Sequence, residues 1–299
     1  MYATVLYWTE GELPLIERCL RSLDAQEAPG TDLRILVIDN GSGVTPGLPG
    51  RAELVRLPCN RGFTGGHNVG MRAALEDAAD FVFLINSDVV LEPSCVARLL
   101  QVAHDDASVG ILGPLILSAT ATGQIESNGL TFNTRTGRHR QIDRGLAPTG
   151  LSQTPHAVDA VSGAALFARR SVLERVGFLD DALYLYFEDV DLCLRARGAG
   201  FQVVVVPGAR ASHVGGGSTA PAWTGTTFYS VRNHLVVAAR NAPRGWSWLL
   251  QALVISYHFA FLLRNQERRT WTHLGALVRG SLAAWTSRMG PQGSFARSH

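Results

Sequence analysis

The sequence predicts an α/β protein built on a mostly parallel central sheet with helices on both faces. Two observations carry this. Through the first hundred residues, short apolar runs alternate with helical patterns, as in a parallel sheet covered on both sides. Polar clusters fall where the apolar runs stop, and in such sheets ligands bind at the carboxyl ends of the strands.

The elements follow in order. Residues 3–7 predict a strand that ends at Trp8-Thr9-Glu10, and 13–25 a helix. Residues 34–38 predict a strand ending at Asp39-Asn40-Gly41-Ser42, and 53–57 one ending near Asn60. Residues 67–79 predict a helix, 81–85 a strand ending at Asn86-Ser87-Asp88, and 93–104 a helix with Pro93 in its first turn. Residues 118–156, rich in Gly, Thr and Arg, predict a loop or small hairpin over one edge. An apolar run follows at 160–168, then helices at 171–176 and 191–198 and a strand over 202–206 that stops at Pro207. Gly215-Gly216-Gly217-Ser218-Thr219 is a flexible breaker. It divides a main domain, 1–222, from a basic, amphipathic helical C-terminal region, 223–299.

Composition narrows the function classes. A chain of 299 residues, 46% hydrophobic, supports one large domain with an appendage. The four cysteines are widely spaced with no CxxC pair, which argues against a zinc site or disulfide framework and for a reducing compartment. The N-terminus lacks the basic region of a signal peptide and is expected to enter the fold as a first strand. All 27 basic residues are arginine. From Tyr229 onward there are nine arginines and one acid, Glu267. Such a tail suits an anionic partner. Its aromatics interleave with apolar residues rather than with arginines, which argues against nucleic acid.

Residues 246–263 carry no charge over 18 positions, the lower limit for a membrane span. Three placements are open: a helix packed on the main domain, one lying in the membrane interface, and one crossing it. Flanking Arg244, Arg264, Arg268 and Arg269 suit anionic lipid.

Four constellations bear chemistry. Asp88, just past a buried strand, lies in the crevice, where it either holds a divalent metal or caps a turn. Asp39 either accepts from a pyrimidine ring or closes an Asn-Gly turn. Asn60-Arg61-Gly62, running on to Asn68 and Gly70, is a glycine-rich turn into a helix. Its amides, with Arg61, suit phosphate oxygens, although such loops are also structural. His213 is either a surface histidine or a neutral imidazole ligand. The most informative stretch is Phe187-Glu188-Asp189-Val190-Asp191-Leu192-Cys193-Leu194-Arg195. Three carboxylates there sit on apolar ground, where charge must be paired or hydrogen-bonded.

Together with Ser162-Gly163-Ala164-Ala165-Leu166 and Ser212-His213, these motifs resemble the inverting glycosyltransferases of family 2, with the GT-A fold, in their rhamnosyltransferase-like subgroup. The resemblance covers roughly residues 1–235. It implies donor contacts at Trp8, Asp39, Asn60, Arg61, Gly62, Asn68 and Ser87, with Trp8 and Asp39 on the base. It implies Mg²⁺ or Mn²⁺ at Asp88 and His213, and acceptor contacts at Ser162, Gly163 and Glu188. Asp189 is implied as catalytic base with Glu188 as its helper, while Asp191 is expected to pair with Arg195 one turn on. Asn86 stands at the first position of the family's DxD-type motif, Trp8-Thr9 where Tyr-Asn is usual, and His67 where a second Asn is common.

The implied reaction is metal-assisted single displacement from a dTDP- or UDP-sugar, such as a rhamnose donor, to a hydroxyl of a glycan or polyprenyl-linked acceptor. Apolar neighbours would raise the pKa of Asp189, and Arg195 or the metal would lower it. The basic tail implies a peripheral enzyme on the cytoplasmic face of a bacterial plasma membrane. A homo-oligomer interface is the tail's alternative use, with a soluble natural-product acceptor then favoured. Two further readings are a sugar-nucleotide nucleotidyltransferase, disfavoured by the acidic Thr9-Glu10-Gly11-Glu12 turn, and a non-catalytic sugar-nucleotide-binding protein, disfavoured by the intact Asp88, Asp189 and His213.

Overall fold

Runs of Val, Ile, Leu and Phe with no exposed face form the central strands, as a sheet covered on both sides requires. The computed structural model describes residues 1–119, 123–214, 224–243, 245, 247–265, 270–286 and 289–291. The first half comprises β1 (Tyr2–Tyr7), α1 (Leu13–Asp24), β2 (Arg34–Asp39), β3 (Ala52–Arg56), α2 (Gly62–Glu76), β4 (Phe81–Asn86), β5 (Val89–Leu91) and α3 (Cys95–Asp105). Then come β6 (Val109–Ser118), β7 (Ile125–Ser127), β8 (Leu130–Phe132), β9 (His139–Gln141), β10 (His156–Ala157) and β11 (Ala165–Arg169). The remainder is α4 (Arg170–Val176), α5 (Glu188–Gly198), β12 (Gln202–His213), α6 (Thr224–Asn241), α7 (Ser247–Arg264) and α8 (Trp271–Trp285).

The main sheet runs β10-β12-β6-β11-β4-β1-β2-β3, with β5 on β12 and β7 on β6. Strands β1 to β4 pair in parallel, as do β6 and β12. Strand β11 enters antiparallel between β4 and β6, so the sheet is mixed. One hydrophobic cluster, with Leu20, Phe83 and Leu99, covers one face, and another, with Met71, Leu166 and Leu192, covers the other.

Three local outcomes differ from the expectation. Strand β6 was not expected, because Gly113-Pro114 interrupts its apolar run; Gly113 is instead where Val161 crosses, at 2.7 Å from where a Cβ would sit. Strand β12 does not stop at Pro207. A bulge between Val206 and Arg210 absorbs the missing N–H, and the strand resumes to His213. Helix α2 starts at Gly62, five residues before the expected 67. Its Gly66 and Gly70 lie against β1, where an added Cβ would come within 2.4 Å of Leu6 and of Thr4. These glycines set the helix close to the sheet.

The glycine breaker and the division at 222/223 fall outside the described residues, as do Arg244, Arg268 and Arg269. Beyond them, α6 packs in the same cluster as Leu183 and Leu192, so the core does not divide where the sequence does. Helix α7 buries one stripe, Leu250, Val254, His258 and Leu262, and exposes Leu253, Tyr257, Phe259, Phe261 and Leu263. Among the described residues no helix is long and apolar enough to cross a membrane.

Gly70→Val should cost about 1–3 kcal/mol, because Thr4 is a β-branched strand residue with little room to yield. Chemical denaturation checks this against Gly198→Ala, where nothing lies within 4 Å and no loss is expected.

Candidate active site

The ends of β1, β2 and β4 place the first group of polar residues. Glu12 ties two of them together. Its Oε1 accepts from the Trp8 and Thr9 N–H groups at 3.2 and 3.1 Å, and its Oε2 accepts from the Ser87 hydroxyl at 2.6 Å. Sequence reasoning used Glu12 only to argue against another enzyme class. The signal was the Thr-x-x-Glu spacing of a capping box. Trp8 is half-buried beside this knot. At the end of β2, Asp39 is buried and closes its own turn: Oδ1 accepts from the Ser42 N–H and hydroxyl, both at 2.7 Å, and Oδ2 from Gly43 N–H at 3.2 Å.

The Asn60 loop divides in two. Asn60 Oδ1 accepts from Asn40, Gly62 N–H and the Tyr184 hydroxyl, so Asn60 organises the turn. Gly62, at φ +74, lies against Tyr184, which leaves no space for a Cβ. Asn68 is buried and committed to Leu179 N–H, Leu179 C=O and Asp181, so it clamps the loop before α5. Arg61 alone in this group is exposed, beside the first turn of α2. His67, buried against Thr4 at 2.9 Å, has its pKa pushed down to about 3 by burial and is a neutral packing residue.

Asp88 and His213 meet. His213 Nε2 lies 3.1 Å from Asp88 Oδ1, and Nδ1 lies 2.7 Å from Glu126 Oε1. Pairing of β5 with β12 brings them together, with His213 opposite Val89. Burial opposes charge on this ring, but hydrogen bonds to Asp88 and Glu126 outweigh it and push the pKa up to about 10. The ring is therefore a cation between two carboxylates. Glu126 was not anticipated, since it lies on a short strand within the region taken as a loop. Two carboxylates and an imidazole suit Mn²⁺ or Mg²⁺, with the ring giving up its proton to bind. Among the described residues, however, no group of three or more His, Cys, Asp or Glu is placed to hold a metal ion, this trio included.

The carboxylates of the acidic stretch separate. Asp189 Oδ2 accepts from Gly163 N–H at 2.7 Å and Oδ1 from Val190 N–H at 2.8 Å. Burial raises its pKa, and these N–H groups hold it back. Ser162 accepts from Ala164 N–H, and Ala164 C=O accepts from Asn86 N–H at 3.0 Å. That bond sets Gly163 and Asp189 beside the strand end that leads to Asp88. Glu188 is buried with Oε2 unpartnered, and burial, then the charge of Asp189, push its pKa well above the carboxylate range. Asp191 is buried but neutralised by Arg195 at 2.8 Å and Arg240 at 3.0 Å.

The loop leading into α5 is strained. Tyr184, Tyr186 and Phe187 have φ of 67°, 70° and 68°. Two adjacent residues of α6 hold it. Asn233 Nδ2 lies 2.8, 2.8 and 2.7 Å from the carbonyls of Leu183, Leu185 and Tyr186. Buried Arg232 donates to the carbonyls of Ala182, Leu183 and Gly290 at 3.1, 2.7 and 2.6 Å. Neither residue stood out in the sequence, because their partners are 47–58 positions away.

The Asp88–His213 pair and the half-buried Asp189 both lie toward the strand ends of a mixed α/β sheet. Residues 2–235 match the model of glycosyltransferase-like family 2, and the chain belongs to that family. It is 29% identical to the N-acetylglucosaminyl-diphospho-decaprenol L-rhamnosyltransferase of Mycobacterium tuberculosis, over 89% of this chain and 94% of that one. It is 24% identical to the dTDP-rhamnosyl transferase RfbF of Shigella flexneri, over 69% and 71%. In fold it resembles the mannosyltransferase PcManGT of Pyrobaculum calidifontis, solved with GDP-Man and Mn²⁺. The TM-score is 0.57 at 16% identity, over 96% of this chain and 87% of that one. The protein is a glycosyltransferase with the GT-A fold.

Two predictions follow from this geometry. The folded Glu188 carboxyl keeps its proton above pH 4.5, where the unfolded one releases it. Its contribution to stability is therefore complete below that pH and lost as pH rises through the folded pKa. Glu188→Gln should flatten the fall in Tm from pH 4.5 toward neutrality and above; parallel Tm profiles would show the carboxyl to be ionised already. Asn233→Ala should lower kcat about 10-fold or more, because it frees the loop that leads into Asp189 and packs on the Asn60–Gly62 turn. Steady-state kinetics read this directly, and unchanged kcat would remove Asn233 from that role.

Proposed function

We propose that this glycosyltransferase inverts the anomeric centre of a nucleoside-diphosphate sugar, a dTDP- or UDP-sugar such as a rhamnose donor, in transferring it to a hydroxyl of a lipid-linked saccharide. The observation that carries the reading is Asp189: a carboxylate on partly buried ground, fixed by the Gly163 and Val190 N–H groups, beside the strand end that leads to Asp88. Its pKa, raised by burial, suits it to take a proton.

Asp189 accepts the proton of the acceptor hydroxyl as that oxygen bonds the anomeric carbon. The bond from that carbon to the diphosphate breaks, and the nucleoside diphosphate leaves with the electron pair. Asp88 and His213 would hold Mg²⁺ or Mn²⁺, which would supply neutralising charge to the diphosphate. Trp8 and Asp39 flank the base site, with Ser87 and the Asn60-Arg61-Gly62 turn along the donor. Asn68 supports that turn from behind. Ser162, Gly163 and protonated Glu188 line the acceptor side. The acceptor class is supported by the name of the mycobacterial relative, a transferase to N-acetylglucosaminyl-diphospho-decaprenol.

The same reading assigns 1–222 to the transferase domain and 223–299 to a C-terminal region that meets an anionic membrane. Among the described residues, ten of the twelve large exposed apolar side chains lie on α7 and α8, which supports peripheral attachment at the cytoplasmic face of a bacterial plasma membrane. Nucleotide release from a panel of dTDP-, UDP- and GDP-sugars, with Mg²⁺, with Mn²⁺ and with EDTA, identifies the donor and its metal dependence. With that donor, Asp189→Asn should lower transfer by about 10²–10⁴-fold while donor affinity stays intact. Near-normal transfer by the variant would defeat the assignment.

A further inference from the structure

Between the β8–β9 hairpin region and α7 lie two cavities that the transfer chemistry does not use. One, about 560 Å³, is lined by Arg138, Arg140, His234 and Tyr257. The other, about 240 Å³, is lined by His139, Arg144, Phe187, Ser230, Tyr257 and Phe261. Tyr257 borders both. Phe187 walls the second and is the residue immediately before Glu188 and Asp189.

The chemistry of this region is two-sided. Arg138, Arg140 and Arg144 come from β9 and its flanking turns, and all three are exposed. None forms an ion pair among the described residues. His139 sits among them with its Nδ1 buried and without a hydrogen-bond partner, an atom that calls for a ligand donor or acceptor. On the other side, Tyr257 and Phe261 belong to the exposed apolar face of α7. Three unpaired guanidinium groups beside an apolar helix face complement one kind of molecule, a diphosphate with a long hydrocarbon chain.

We propose that Arg138, Arg140 and Arg144 bind the diphosphate of the lipid-linked acceptor. Its chain lies along the exposed face of α7, and its sugar passes Phe187 to reach Asp189. The inference rests on the acceptor class proposed above and adds the site that recognises it. Tyr257 borders both cavities, with Arg138 and Arg140 on one side of it and Arg144 on the other. The hairpin that carries these arginines therefore selects the acceptor, while the crevice at Asp88 selects the donor.

The test uses the full chain and geranyl diphosphate as probe. The triple variant Arg138→Ala, Arg140→Ala, Arg144→Ala should bind geranyl diphosphate about 100-fold more weakly than the wild type, with Lys at the same positions recovering part of the loss. Nucleotide release from the donor without acceptor should stay unchanged, as should binding to phosphatidylglycerol vesicles, because α7 and α8 keep their apolar face. Equal affinity of variant and wild type for geranyl diphosphate overturns the inference. So does a variant that loses vesicle binding but keeps geranyl diphosphate affinity, which would assign the arginines to the bilayer. Failure of the underlying reading shows separately, as no nucleotide release from any donor while geranyl diphosphate still binds.

Discussion

The Arg232–Asn233 pair of α6 is the constraint on which the site depends. Three non-glycine residues in the left-handed region within four positions cost about 1–3 kcal/mol each, so the loop before α5 holds its shape only because its surroundings dictate it. The two side chains take up four consecutive-region carbonyls, Ala182, Leu183, Leu185 and Tyr186, that no regular element satisfies. An arginine suits this because its five donors fan out in a plane, and carbonyl oxygens can solvate a buried cation where a carboxylate is absent. The loop reaches both sides of the crevice. Tyr184 packs on Gly62 at the donor turn, and Phe187 is the N-cap of the helix that begins Glu188-Asp189. One strained segment thus fixes the Asn60–Gly62 turn relative to the start of α5.

Around this frame, neighbouring acids are given different charges. Glu188 is buried next to Asp189 and stays protonated, since two adjacent desolvated carboxylates cannot both ionise cheaply. Asp189 keeps backbone N–H partners and so stays the better anion of the two. Asp191, equally buried, is ionised against two arginines. The charged His213 ring donates one N–H to Asp88 and the other to Glu126. A divalent ion at that place would displace a proton from the ring and bring the site from a net charge of −1 to neutrality.

Much of this was legible in the sequence where information is local. Strand ends are marked by an apolar run meeting a polar cluster, which singles out Asp39 and Asp88, while Asp189 stands out as one of three carboxylates on apolar ground. The Asp191–Arg195 pair followed from helical spacing alone. What failed was long-range. Gly66 and Gly70 look like a phosphate loop until Leu6 and Thr4 are seen to press on them. Glu126, Arg232 and Asn233 act on residues about 50 to 90 positions away, and no local pattern marks them. Strand β6 was hidden by Gly113-Pro114, and the continuation of β12 by Pro207, because a bulge is a tertiary solution to a local defect.

The run at 246–263 shows how tertiary packing resolves an ambiguity that hydropathy cannot. A helix apolar all round is expected either inside a protein or inside a bilayer. Helix α7 is neither: it buries the stripe through Leu250, Val254, His258 and Leu262 and leaves its other apolar residues exposed. The stripe faces α6, the helix that holds the acidic loop, and His258 Nε2 lies 3.1 Å from His234 Nδ1 on α6. His234 in turn stacks on Phe187, with ring centroids 4.6 Å apart. A short chain of packed rings therefore joins the exposed face of α7 to the residue that precedes Glu188 and Asp189. The C-terminal helices, which the sequence sets apart by charge, are by contact the outer wall of the catalytic loop.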